Sequence, residues 1–180
     1  MADGLATLDG DHFRVRVTEA ARDLIGRMIV VGRGAEQRSA IVVETEAYAG
    51  LDDPASHAAF RPGGRAAVMA SEPGTIYVYA AYGMYPCLNI VADERGVSSA
   101  VLVRGVWVDG DERAVLGPGL TTRLLGITLD DHGSMIGEGR IRISSVRRDA
   151  TISVLPRVGI RRGVELPWRF IDQRVERNCG

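Results

Sequence analysis

At 180 residues, with 46% hydrophobic and 25% charged residues and a formal net charge of −1, the chain has the make-up of one globular domain over residues 1–180 and lacks the cationic excess of an indiscriminate polyanion binder. All 22 basic residues are arginine, which excludes a lysine Schiff base and a lysine-bearing phosphate loop. Cys87 and Cys179 are too few for a disulfide framework, no apolar run nears the ~20 residues of a membrane span, and the opening MADGLATLDGDHFRVRV carries no basic-then-apolar leader; a cytoplasmic protein with free thiols and no membrane contact is expected.

In chain order, TEAARDLIGRMIVV (18–31) predicts a helix with Thr18 as N-cap and apolar residues Ala21, Leu24, Ile25 and Met28 at helical spacing, running into a strand after Gly26. SAIVVETEAYAG is rich in β-branched residues and predicts a strand leaving the core at Glu44–Tyr48. GLDDPASHAAFRPGGRAAV, with its Asp-Asp-Pro and Pro-Gly-Gly breaks, predicts a long functional loop. GTIYVYAAYGMYPCLNIVAD predicts two strands joined at Ala81–Met84, with Tyr77 and Tyr79 on one face, Ile76 and Val78 on the other, and Pro86 marking an edge or bulge. SSAVLVRGVWV is a further strand with Arg104 near its end. VLGPGLTTRLLGIT is a turn followed by a short helix from about Leu120, GRIRISSV and PRVGIRRG are strands, and ELPWRFIDQ is a terminal ordered segment. Strands outnumber helices and neighbour one another along the chain. The expected fold is therefore α+β, a single domain with a curved, mostly antiparallel sheet, packed helices and a protruding tyrosine-bearing β-hairpin.

Residues 75–89 hold Tyr77, Tyr79, Tyr82 and Tyr85, four of the five tyrosines in the chain. Tyrosines on one strand face can fill the edge of a core with their hydroxyls in water, or can offer a surface for stacking. Tyr82 differs: at a hairpin tip beside Gly83 a large ring is placed for something outside the domain. Glu44 and Glu46 share a strand face, where a half-buried carboxylate beside an arginine is either a water-activating base or a structural ion pair. His12, His57 and His132 are scattered and do not pair with the cysteines at ligand spacing, so no metal site is expected; Asp52 and His57 read as an Asx turn plus a polar contact. From Arg140 to Arg177 ten arginines stand against Asp149, Glu165, Asp172 and Glu176, a local excess that suits either a solvated face or phosphate contact.

VVETEAYAGLDDPASHA, GTIYVYAAYGMYPCLNIV and AVLVRG, in this order, resemble the alkyladenine (3-methyladenine) DNA glycosylase family of the mammalian type, and ARDLIGRMIV, GPGLTTRLLGIT, PRVGI and ELPWRF extend the resemblance over nearly the whole chain. The resemblance implies an enzyme of base excision repair that flips a damaged purine out of duplex DNA. Tyr82 would be the wedge inserted through the minor groove. Tyr48 would stack on one face of the base, with Tyr79 and His57 on the other. Glu46 would deprotonate a water aimed at C1′, Arg104 would hold that water, and Asn89 would crowd the 2-amino group of guanine. Tyr77 and Tyr85 would pack around the hairpin, with arginines of the 140–177 stretch on phosphates. Absence of lysine beside a water-activating glutamate implies a monofunctional enzyme, leaving an intact abasic strand and needing no metal or organic cofactor; a monomer is the default, because one flipped base needs one pocket. Its implied substrates are 3-methyladenine, 7-methylguanine, hypoxanthine and ethenoadenine.

The chain departs from the family at Gly63, Ala66 and Ala70, where Thr, Asn and Phe are usual, at Leu120 in place of lysine, and in the short acidic connection GVWVDGDERAVL. Loss of a phosphate anchor predicts lower affinity. Two other readings use the same residues. A non-catalytic binder of damaged DNA would use the tyrosines without Glu46, and a hydrolase of free nucleosides would not need Tyr82.

Overall fold

The β-branched run that begins at Arg38 forms the longest strand, and the rest of the molecule is arranged around it. The computed structural model describes residues 6–60 and 63–176; Cys179, Arg177 and Arg61–Pro62 lie outside the described residues. The strands are β1 (Arg27–Val31), β2 (Arg38–Tyr48), β3 (Ile76–Ala81), β4 (Tyr85–Ala92), β5 (Ser99–Trp107), β6 (Val115–Leu116), β7 (Ile141–Arg147), β8 (Ile152–Leu155) and β9 (Arg169–Asp172). The helices are α1 (Val17–Leu24), α2 (His57–Phe60), α3 (Pro118–Leu125) and α4 (Gln173–Glu176). The strands form one sheet in the order β3-β4-β5-β2-β1-β7, with β6 on β5, and β9 beside β2 carrying β8 on its outer side. All of these pairings are antiparallel. The fold is thus the expected single-domain α+β arrangement, and among the described residues no helix is long and apolar enough to cross a membrane.

Helix α1 lays Val17, Ala20, Ala21 and Leu24 on the main core with Ile29, Ile76, Leu88 and Ile90 of the sheet. Its start differs from expectation. Thr18 lies inside the helix; Arg16 is the N-cap and its side chain makes no capping bond. The cap comes instead from Asp93, whose carboxylate accepts the Val17 N–H at 3.1 Å. A remote carboxylate serves an orphan helix donor as well as a local hydroxyl does. PRVGIRRG also differs. The strand lies earlier, at Ile152–Leu155, and residues 156–163 are irregular, with the Val158 N–H bonded to Glu46 and the Arg157 side chain to Asp53.

Two bulges decide which way β2 faces. Val42 pairs with Val106 and Glu44 with Gly105, so Val43 is an extra residue on β2; Glu44 pairs with Gly105 and Thr45 with Val103, so Arg104 is an extra residue on β5. Before the first bulge Ala40 and Val42 enter the main core, whereas Ile41 and Val43 join a satellite cluster on the other side. After it, Ala47 enters the main core and the Thr45 hydroxyl donates to the Ala21 carbonyl of α1 at 2.7 Å. The extra residue reverses the alternation and sends Glu44, Glu46 and Tyr48 to the face away from α1.

Ladder pairing of β3 with β4 continues to Ala81 and Tyr85, whereas β4 pairs with β5 only from Asn89 onward. The hairpin therefore extends beyond the sheet, and Pro86 sits where β4 has no partner on its other side. Helix α3 braces it: the Thr122 hydroxyl donates to the Pro86 carbonyl at 2.8 Å. A Cβ at Gly119 would come within 2.9 Å of the Tyr85 Cβ, so only glycine lets helix and hairpin approach this closely.

Candidate active site

Glu46 lies where β2 runs between β5 and β9, paired with Leu102 on one side and Arg169 on the other. It is 0% exposed. One carboxylate oxygen, Oε1, accepts the Val158 N–H at 2.7 Å, and Oε2 accepts the Tyr48 hydroxyl at 2.7 Å. Arg104 Nε stands 3.5 Å from Oε1. Burial pushes the Glu46 carboxyl above its ordinary value; Arg104, the Val158 amide and the Tyr48 hydroxyl oppose that shift, and Glu44 adds to it. A carboxylate offers about four lone-pair sites, so each oxygen keeps capacity for a water.

Glu44 is the partner that separates the two roles open to these carboxylates. Its Oε1 accepts from Arg104 Nε at 3.1 Å and from Arg169 Nε at 2.7 Å. It is the structural ion pair, and it aims Arg104. The close approach needs Gly105, where a Cβ would meet the Glu44 Cβ at 3.0 Å and Leu116 Cδ2 at 2.7 Å. Glu46, with one long contact to arginine and a raised pKa, is the carboxylate suited to accept a proton.

A cavity of about 680 Å³ opens at Tyr48 and Arg104, two side chains that contact Glu46. Tyr48, Arg104, His57, Tyr77, Tyr79 and Asn89 are among the residues that line it. The long loop supplies His57 at the start of α2, and Ala58 and Met69 pack with Tyr77 beneath it. His57 Nδ1 lies 2.8 Å from the Tyr77 hydroxyl, and its ring meets Tyr79 edge-on at 4.5 Å between centroids. Burial holds the Tyr77 phenol up at about 12 and raises those of Tyr48 and Tyr79 further, so all three stay protonated donors. Asn89 is buried, and its two amide protons go to the carbonyls of Tyr77 and Cys87 at 3.1 and 3.2 Å. Its side chain is fixed against rotation.

Tyr82 stands at the rim, 93% exposed, at φ +51. A non-glycine residue in the left-handed region carries a conformational cost of about 1–2 kcal/mol. The cost is borne by a ring that contributes nothing to the core. The seven residues given roles at the site gather at one place: Tyr48, His57, Tyr79, Tyr82, Asn89 and Arg104 line the cavity and Glu46 bonds to the Tyr48 hydroxyl.

Three contributors were not legible in the sequence. Val158 enters through its backbone. Arg169 and Arg157 belong to the stretch read as a basic face. Arg157 is instead fully buried on Asp53, the residue beside the Asp52 read as part of an Asx turn, with contacts of 2.5 and 2.8 Å. Asp53 makes the turn, accepting the Ala55 N–H at 3.0 Å. Most of the basic face is spent internally: Arg140, Arg142, Arg147, Arg148, Arg169 and Arg174 all have acceptors in the protein. Arg161 and Arg162 are exposed and have no ion pair among the described residues, and they follow Ile160 at the cavity wall. Among the described residues no three His, Cys, Asp or Glu side chains form a metal-binding group.

Comparison with known proteins covers the same stretch of chain. A sequence model described as methylpurine-DNA glycosylase (MPG) matches residues 11–176. Proteins named "Putative 3-methyladenine DNA glycosylase" are similar along most of their length. One from Cutibacterium acnes is 41% identical over 150 residues, 72% of this chain and 78% of its own. One from Rickettsia felis is 34% identical over 169 residues, 93% of each chain. One from Rhodopseudomonas palustris is 38% identical over 176 residues, 91% of this chain and 86% of its own. Because the match runs unbroken from before α1 to the end of α4 and takes in the whole cavity wall, the chain belongs to the methylpurine-DNA glycosylase family.

Proposed function

We propose that this DNA glycosylase hydrolyses the N-glycosidic bond of alkylated or deaminated purines flipped from damaged duplex DNA, leaving an abasic site in an uncut strand, and that it acts as a monomer. The observation that carries the reading is a fully buried carboxylate of raised pKa at the back of an aromatic cavity whose rim bears an almost fully exposed tyrosine.

In this reading Tyr82 enters the minor groove and fills the space the flipped nucleotide leaves, offsetting a few kcal/mol of unstacking. The purine lies between Tyr48 and the Tyr79–His57 wall. Base–aromatic stacking is worth about 1–3 kcal/mol per base. A water between Glu46 and Arg104 loses its proton to Glu46 as its oxygen attacks C1′, and the purine leaves with the bonding electron pair. A cationic alkylpurine such as 3-methyladenine or 7-methylguanine leaves neutral; hypoxanthine or ethenoadenine must also gain a proton. The rigid Asn89 amide cannot turn away from a guanine 2-amino group, which supports discrimination against guanine; 7-methylguanine meets the same penalty and offsets it with the weakened glycosidic bond of a cationic base. With no lysine amine to attack the sugar, strand cleavage is not expected. Arg161 and Arg162, beside the cavity mouth, are the cations free to meet the flanking phosphates.

The test is single-turnover release from duplexes carrying one hypoxanthine, and from alkylated duplex DNA, with base release and strand integrity scored separately in wild type and Glu46→Gln. Base release without strand breaks, lost in the variant, is the expected result. Lesion-dependent binding with no release from either substrate would replace the enzyme with a damage-binding protein.

A further inference from the structure

Arg157 is absent from the cavity lining, yet its guanidinium carbon lies over the Tyr48 ring, 4.7 Å from the centroid, and 5.3 Å from the centroid of Trp168. The cation is thus held between two aromatic faces. Tyr48 itself lines the cavity, so the guanidinium covers the ring's rear face and the front remains for a ligand. Asp53 fixes the cation with both carboxylate oxygens, and each partner also grips the backbone. Asp53 accepts the Ala49 N–H at 3.2 Å. Arg157 donates to the carbonyl of Ala47 at 2.9 Å and to that of Gly163 at 3.3 Å, leaving only its Nε without an acceptor. Ala47 lies between the base and the stacking ring, and the residue after Arg157 is Val158, whose amide holds Glu46.

A buried ion pair of this kind is weak evidence for stability, since the cost of removing both charges from water offsets their attraction. Its placement supports another role. A ring attracts a cation through the electron density of its face. With a guanidinium already on one face, that density is drawn backward, and the front face gives less to a second cation. Across the cavity, Tyr79 has no arginine stacked on it among the described residues.

Building on the stacking role proposed for Tyr48, we propose that the buried Arg157–Asp53 pair is a positioning and tuning device: it fixes Tyr48 from behind and, by placing a cation on that face, makes Tyr48 an even-handed platform for neutral and cationic purines. Discrimination in favour of cationic lesions then resides in the opposite wall, at Tyr79.

The experiment measures single-turnover excision of 7-methylguanine and of hypoxanthine from otherwise identical duplexes, and compares the ratio of the two rates. Tyr48→Leu is expected to slow both lesions by the same factor, leaving the ratio unchanged, whereas Tyr79→Leu lowers the rate on 7-methylguanine more. In the paired variant Arg157→Met with Asp53→Asn, the ratio is expected to rise about two- to fivefold in favour of 7-methylguanine, and Arg157→Lys, which keeps a cation, stays near the wild-type ratio. A larger loss on 7-methylguanine than on hypoxanthine in Tyr48→Leu overturns the proposal without recourse to the ion-pair variants, whether or not those fold. An unchanged ratio in a folded paired variant overturns it equally. Failure of the wild type to release either base instead removes the glycosylase reading on which the inference rests.

Discussion

Tyr48→Phe separates the two tasks placed on one side chain, because it keeps the ring and removes the hydroxyl that donates to Glu46 Oε2 at 2.7 Å. A hydrogen bond to a buried charged group contributes about 1.5–3 kcal/mol. The aromatic ring that stays at position 48 continues to cover Oε2, so the lost donor is not replaced there. At about 1.4 kcal/mol per pKa unit, the already raised Glu46 pKa climbs by about one to two further units. The ionised form is the base, so the acidic limb of the pH–rate profile moves upward by that amount. Above the limb the rate returns to the wild-type level or exceeds it, since a more basic carboxylate accepts a proton more readily. Stability follows the same linkage. A carboxyl whose folded pKa is raised contributes stability that is complete below the unfolded pKa and is lost as pH rises through the folded value. The variant therefore matches wild type in Tm at acid pH and falls behind as Glu46 ionises. Single-turnover release from a hypoxanthine duplex between pH 5 and 9, with Tm measured in the same buffers, reads both. A limb that stays in place or moves to lower pH would refute Glu46 as the titrating base.

Further outcomes are expected at other positions. Glu46→Gln lowers base release by about 10²–10⁴-fold while binding to a lesion duplex persists in a gel-shift assay, and it causes no loss of Tm at pH 8, where the ionised carboxylate is most costly. Tyr82→Gly relieves a left-handed residue and removes a ring with no core contacts. Thermal stability is then equal or higher by up to about 1 kcal/mol, whereas excision from duplex falls at least tenfold; equal excision would remove the wedge. Arg161→Ser with Arg162→Ser lowers the slope of log K against log salt by about two, since each phosphate contact contributes about 0.9, without changing the relative rates on different lesions.

How far the site could be read in advance depended on whether its signal was local. The alternation of Tyr77 and Tyr79 against Ile76 and Val78 carries directly into two faces of β3, because a strand repeats every two residues. The exposure of Tyr82 follows from its place beside Gly83 at a turn. Glu44 and Glu46 were expected to share a face, and do. Which face could not be read, since that depends on an extra residue whose partners lie on β5. The Thr18 cap failed for a related reason: Asp93, which serves α1 instead, is remote in the chain and carries no helical signature. Arg157 was submerged in a sum of charges. A count over Arg140–Arg177 cannot distinguish a guanidinium closed on Asp53 from the exposed ones at 161 and 162, and the difference is that between a wall and a mouth.

The extra residue at Val43 also limits how the ETEAY segment can be moved. Grafted into a regular antiparallel pair in the same register, these five residues would turn Thr45 and Ala47 outward and press both carboxylates under a helix. Straightening the bulge in place, with Val43 kept and paired, would do the same, whereas deleting Val43 would leave a regular ladder with both carboxylates still on the site face. Single-residue insertions or deletions in β2 that leave the bulge in place flip the faces of the segment beyond them and are therefore more damaging than most substitutions there, and a transplanted site must bring its irregular ladder as well as its side chains.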